Sequence, residues 1–356
     1  MRRLFALLLP VLMVMAGPTP SRAQSPTLYV CNQGEATISV IDMEARTVET
    51  TVDLTERGFS PNAKPHHVVA EPDGEHWYVT LIGENTILKF NRDNEIVDRT
   101  SSLEVPGLMA LDADSDRLYV GRSMSAVDPP QSIGVLDRSS MTVEEQIDTF
   151  FPRPHPIAVQ DGGAHAFAAS LAANQLMGMN TASGETELTR LGGDTQTLVQ
   201  FAMTPDGSTL IAGGQRTGQL LVFDAGQAPS LSVTDTLQVG KQPWHPVVSK
   251  DGTTAYMPNK ASHSVSVVDL TEPAVTTTIE GDGLAQPHGT VLSPDGRYLF
   301  VSNNNRNGTY SPSGDNPDAG TVTVIDTETN EVTDVIEVGT YPTGLGTFGG
   351  ARATAP

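Results

Sequence analysis

The feature that most limits how this chain can fold is a unit of about 43 residues that recurs along nearly its whole length. It is clearest in KPHHVVAEPDGEHWYVT (64–80), TLVQFAMTPDGSTLIAGG (197–214), QPWHPVVSKDGTTAYMPN (242–259) and QPHGTVLSPDGRYLFVSN (286–303), with looser copies at 105–121 and 153–170. Each unit holds a short apolar run, a turn built on Gly or Asp, and a second β-rich run. A third run ending in Asp follows in most copies: ISVID, IGVLD, LLVFD, VSVVD and VTVID. TVETTVDL and EVTDVIEVG supply a fourth. Short runs of β-branched and aromatic residues punctuated by Pro-Asp-Gly are strands joined by hairpins. No helical period persists for more than a couple of turns. A four-stranded unit cannot bury both of its faces alone, so neighbouring units must stack, and radial stacking gives an all-β propeller.

Six full copies are present, and a seventh is split. YPTGLGTF (341–348) supplies its first strand, and TLYVCNQGEATISVID (27–42) resumes it. A blade closed by both termini leaves no free edge strand in the ring. The expected architecture is a seven-bladed β-propeller with four-stranded blades, occupying residues 24–356 as a single domain. The units TLYVCNQGEATISVID, HWYVTLIGENTILKF and SPDGRYLFVSNNN resemble the YVTN-repeat propellers, with Tyr78-Val79-Thr80 departing from that tetrapeptide only at Leu81. The resemblance covers nearly the whole mature chain and implies the fold. It extends to exported proteins, surface-layer proteins and the haem-binding propeller of dissimilatory nitrite reductase, and a shared fold does not fix the chemistry.

The segment 1–23 reads as a signal peptide: basic Arg2 and Arg3, apolar Leu4 to Ala16, and the small-x-small site Ser21-Arg22-Ala23. Its apolar run is too short to span a bilayer. The expected location is periplasmic or secreted. The formal charge is −21, and removing Arg2, Arg3 and Arg22 takes it to −24. Such a surface argues against nucleic acid as a partner. Cys31 is the only cysteine, so no internal disulfide forms, and its place in LYVC makes it a core thiol.

Aligning the copies on their turns brings most of the histidines together. His66 falls in register with Gly107, His155, Val199, Trp244, His288 and Thr343. The next column holds His67, Leu108, Pro156, Gln200, His245, Gly289 and Gly344. Five of the eight histidines occupy these two columns. The first strand of each blade lines the central channel, so His66, His67, His155, His245 and His288 converge on one rim. Neutral imidazole is a ligand for copper, zinc or iron, and copper is the first expectation. Three or four imidazoles would supply such a site, and a metal there requires the imidazole nitrogens to lie within about 5 Å of one another; nitrogens that splay towards different neighbours favour caps or a scaffold. Trp244 would shield the site, and Met109 and Met203 read as core residues. Lys64, Arg153 and Lys241, just before the prolines, form a basic ring that attracts an anion.

The resemblance to the haem-binding propeller implies histidines on iron and basic residues on carboxylates. A haem-like cofactor is the weaker expectation, and no Cys-x-x-Cys-His motif is present for covalent attachment. The structural alternative is that the histidines cap backbone groups in a Pro-x-Gly pattern, as Pro287-His288-Gly289 does. His76, His165 and His263 read as ordinary strand-end or turn residues. The insertions 304–320 and 122–132 read as surface loops, with Asp315 and Asp318 lacking the spacing of an EF-hand.

The leading function is therefore an exported propeller that binds a transition metal or small anionic ligand at a histidine-lined rim, with redox chemistry one outcome. A non-catalytic module docking an envelope protein is the alternative from another class. A lactonase-like hydrolase ranks last, because the two columns hold no Glu or Asp.

Overall fold

The computed structural model describes residues 25–348 except Ala126; the signal segment and its cleavage site lie outside the described residues. Seven four-stranded antiparallel sheets form the blades. Blade 1 is ordered Pro342–Thr347, Thr27–Asn32, Thr37–Asp42, Thr47–Asp53, so the C-terminal strand pairs with the N-terminal one, Leu28 opposite Thr347 and Tyr29 opposite Gly346. The split copy closes the ring as its sequence predicts. The innermost strands of blades 2 to 7 are Pro65–Ala70, Pro106–Leu111, Pro154–Val159, Leu198–Met203, Val247–Val248 and Pro287–Leu292. Each touches the innermost strand of the next blade, and that of blade 7 touches Pro342–Thr347.

Burial explains the composition of each strand. The second strand of a blade is covered on both faces by neighbouring blades and is mostly apolar, buried throughout in Thr27–Asn32, whereas outer strands such as Thr142–Asp148 are mostly exposed and polar. The core is a series of clusters that each bridge two blades. Between blades 1 and 2, Tyr29 stacks on Trp77 at 4.3 Å between ring centres and Trp77 on Phe90 at 4.0 Å. Cys31 lies fully buried in the same cluster, and burial raises its thiol pKa, which keeps it an unreactive thiol.

The hairpins form as their residues dictate. Gly74, Gly207, Gly252 and Gly296 all have φ between 70° and 78°. In each turn the preceding Asp accepts a backbone N–H two residues on: Asp73 from Glu75, Asp206 from Ser208, Asp251 from Thr253 and Asp295 from Arg297.

The entry to the inner strand repeats with equal regularity. Lys64, Val105, Arg153, Thr197, Gln242, Gln286 and Tyr341, one per blade, all have φ between 48° and 62°. This conformation is costly for Val105 and Thr197, which are β-branched. Because it recurs in blades with and without histidine, it is a requirement of the fold. Directly after it the register slips in six blades, between Pro65 and His67, Pro106 and Met109, Pro154 and Ile157, Leu198 and Phe201, Pro287 and Thr290, and Pro342 and Leu345. The histidine columns fall on these bulges, where the strand bends and re-aims its side chains.

Blade 6 keeps its four strands, but its inner strand shortens to Val247–Val248, because Pro246, unlike the proline that opens the inner strand in other blades, falls inside the strand and has no N–H to give the ladder. Trp244 N–H still donates to Pro258 O, but His245 N–H turns to His288 O in blade 7 at 3.1 Å.

Candidate functional site

The entries to the inner strands, bulged at His66, His67, His155 and His288, bring the five predicted histidines into one cluster. Ring centres are 4.7 Å apart for His245 and His288, 6.1 Å for His66 and His155, and 6.3 Å for His67 and His245. All five side chains are buried. Trp244 leans over the group, 5.1 Å from His288 and 6.5 Å from His245.

Four of the five histidines, His66, His155, His245 and His288, line a cavity of about 560 Å³ at the channel mouth. Trp244 and Arg153 line it too, as the sequence columns predict. His67 does not; it sits in the cluster beside them and accepts the Met109 N–H on Nδ1 at 3.2 Å. Lys64 lines an adjoining cavity, and Lys241 lines neither.

Hydrogen bonding assigns the free atoms. His66 Nδ1–H donates to Gln33 Oε1 at 3.1 Å, which leaves its Nε2 as a lone pair. His155 Nδ1 bonds Ser123 Oγ. His67 has its acceptor nitrogen occupied, so in the neutral ring Nε2 carries the proton. Buried with no protein partner are His66 Nε2, His245 Nε2, His288 Nδ1 and Trp244 Nε1. Unpaired buried polar atoms are costly and call for a partner from outside the chain. Backbone capping accounts for none of these four atoms.

Electrostatics keep the rings neutral. Burial brings the His66 pKa down to about 4, and burial together with the nearby His66 brings His67 down to about 3. Burial holds His155, His245 and His288 well below the ordinary value, with neighbouring histidines adding to it, Arg153 at His155 and Lys260 at His288. The cavity has no Asp or Glu in its lining, while Arg153 and Arg216 both border it. Arg153 spends Nε on Ser123 O, and among the described residues neither arginine has a carboxylate partner. Among the described residues no three His, Cys, Asp or Glu side chains are placed to hold a single metal ion.

Several lining residues escaped the sequence columns. Gln33, Arg216 and Tyr341 belong to the cavity, and Lys260 Nζ lies 4.4 Å from the Trp244 ring centre and 5.6 Å from that of Tyr341. A signal for them exists. In six blades the residue after the second strand bonds back to the residue before the first strand, among them Gln33 N–H to Tyr341 O, Gln215 to Thr197, Lys260 to Gln242 and Asn304 to Gln286. The hairpin after strand two is thus a second ring of side chains on the same rim.

No family model matches the chain, and no curated protein matches it. Solved structures do. A protein of unknown function from Desulfotomaculum acetoxidans superposes with a TM-score of 0.72 at 14% identity, over 91% of this chain and 99% of its own. Kuenenia stuttgartiensis hydrazine synthase superposes with a TM-score of 0.64 at 16% identity, over 79% of this chain and 88% of that chain. At such identities the likeness is one of fold. Among the described residues no helix is long and apolar enough to cross a membrane.

Proposed function

We propose that this propeller is an exported YVTN-type protein whose channel mouth binds a small organic anion. One observation carries the reading: a carboxylate-free cavity, open at the channel mouth, presents the buried and unpaired Trp244 N–H and imidazole nitrogens beside two arginines without carboxylate partners. In a chain with twice as many acidic as basic residues, cations usually find acids. Arg153 and Arg216 supply the field, and Trp244 Nε1–H and the imidazoles supply directional contacts. A cavity of about 560 Å³ is far larger than an inorganic anion needs and suits a metabolite. The test is calorimetric titration with acetate and sulfate, beside an Arg153→Ala/Arg216→Ala variant. Binding that the variant loses supports the reading; no heat with either anion defeats it and leaves a protein-docking role as the better account.

A transition metal, copper first, is the second reading, with redox chemistry following from it. What favours it is the set of free neutral nitrogens on His66, His245 and His288. The rings would have to turn to share one ion, and the arginines would oppose it. Elemental analysis of protein from its native envelope, beside His66→Ala/His288→Ala, decides this reading: near-stoichiometric copper lost in the folded variant sustains it.

A further inference from the structure

A second cavity adjoins the first. It has a volume of about 740 Å³ and shares two lining residues with the channel cavity, Gln33 and Tyr341. Its cations are Lys64 and Arg306, and its one carboxylate is Asp318. Among the described residues neither Lys64 nor Arg306 has an ion-pair partner; Arg306 instead stacks over Tyr341, 4.9 Å from the ring centre. Asn304 also lines this cavity and is only 1% exposed. Its Nδ2 donates to Pro342 O, but Oδ1 is buried with no partner. An unpaired buried acceptor in a cavity wall calls for a donor on whatever fills the cavity.

The two cavities therefore each present a pair of cations on either side of a shared wall. Each has two cations unsatisfied by the protein, Arg153 and Arg216 in one, Lys64 and Arg306 in the other. Gln33 and Tyr341 form the wall between them. Lys260 sits against the two rings, Trp244 and Tyr341, beside this wall, so positive charge continues across it.

We infer that the two cavities are subsites for a single elongated organic dianion, with one acidic group at Arg153 and Arg216, the other at Lys64 and Arg306, and a hydroxyl or N–H between them that serves Asn304 Oδ1. This deepens the anion reading of the channel cavity and rests on it. The ligand class is a hydroxylated dicarboxylate or its chemical equivalent, longer than the monoanions that one cavity alone would take.

The test is a calorimetric series on the mature chain with acetate, succinate, adipate and galactarate. Adipate and galactarate have the same chain length, without and with hydroxyls. The dianions that reach both subsites should bind about three- to fivefold tighter than acetate, the gain expected of a partly exposed ion pair, and galactarate should bind tighter than adipate. A Lys64→Ala/Arg306→Ala variant should bring adipate and galactarate back to the affinity that acetate shows for Arg153 and Arg216, and acetate should lose only what it binds at the second cavity. Dianions no tighter than acetate, or unaffected by that variant, overturn the two-subsite inference while the anion reading stands. If acetate and every dianion fail to bind, the anion reading falls and this inference with it.

Discussion

His66 of blade 2 and Gln33 of blade 1 meet across a blade boundary, Nδ1 to Oε1 at 3.1 Å, and this one contact fixes which nitrogen of His66 faces the cavity. Gln33→Glu keeps the shape and replaces the amide by a carboxylate. An opposite charge at hydrogen-bond distance favours the imidazolium, so the His66 pKa should climb from about 4 back toward or above its ordinary value. The same carboxylate would repel an anion. Histidine-resolved NMR titration and acetate calorimetry should show the pKa rise together with an affinity loss of about tenfold, roughly 1.4 kcal/mol. An unchanged pKa would mean that the pair does not form in solution.

The buried histidines also set a pH dependence on the protein itself. Their folded-state pKa values are depressed, to about 4 for His66 and about 3 for His67. The unfolded chain takes up protons near pH 6.5, which the folded chain refuses until much lower pH. Stability is therefore fully present above the unfolded value and is lost as pH falls from about 6.5 towards 4. The melting temperature should fall across that window and be flat above it. A His66→Gln/His288→Gln variant should show a shallower fall. Acetate or sulfate should protect most on the acidic side, since a bound anion favours the protonated rings.

How much of this was legible in the sequence differs between fold and site. The six full copies and the split one located every blade, because stacking buries each second strand on both faces and makes each Pro-Asp-Gly turn a fixed marker. The columns through His66 and His67 found five residues that do cluster, since equivalent positions of a closed ring must face one axis. They could not say that His67 would spend Nδ1 on the Met109 amide, which depends on the bulge after Pro65 and on the strand of the next blade. Nor could they find Gln33, Arg216 or Lys260. Those residues come from the hairpin after strand two, and only antiparallel pairing back to the residue before strand one brings them to the rim. Blade 6 has the four strands its sequence predicts, but its inner strand is short, because Pro246 has no N–H to give the ladder.

Fluorescence should separate the site from the core. The chain has two tryptophans. Trp77 is fully buried between Tyr29 and Phe90, with Nε1–H donated to Asn91 O at 3.0 Å. Trp244 borders the cavity with its Nε1–H unpaired. An anion that accepts that N–H should change the emission of Trp244 alone. Trp244→Phe should abolish the anion-dependent change and keep the Trp77 signal. A change that survives in Trp244→Phe would locate the anion elsewhere.

One carboxylate gathers the tip of the 304–320 insertion. Glu337 accepts from Tyr310 Oη at 2.9 Å, from Ser313 N–H and Oγ–H, and from Gly314 N–H at 3.0 Å. These donors, the Ser313 amide first, bring its pKa down to about 2. The clasp is thus fully formed above the ordinary carboxylate range and releases only as pH falls towards 2. Glu337→Gln keeps the size but loses the charge that makes these bonds strong. Limited proteolysis at neutral pH should then cut within 310–318 several-fold faster than in the parent, with the blades intact. Because the loop contributes Gly308, Pro317 and Asp318 to the second cavity, the same variant should weaken galactarate and leave acetate unchanged. Equal cleavage rates would show that the loop is held by Asn305 instead, whose side chain bonds the Tyr310 N–H and the Tyr310 and Ala319 carbonyls.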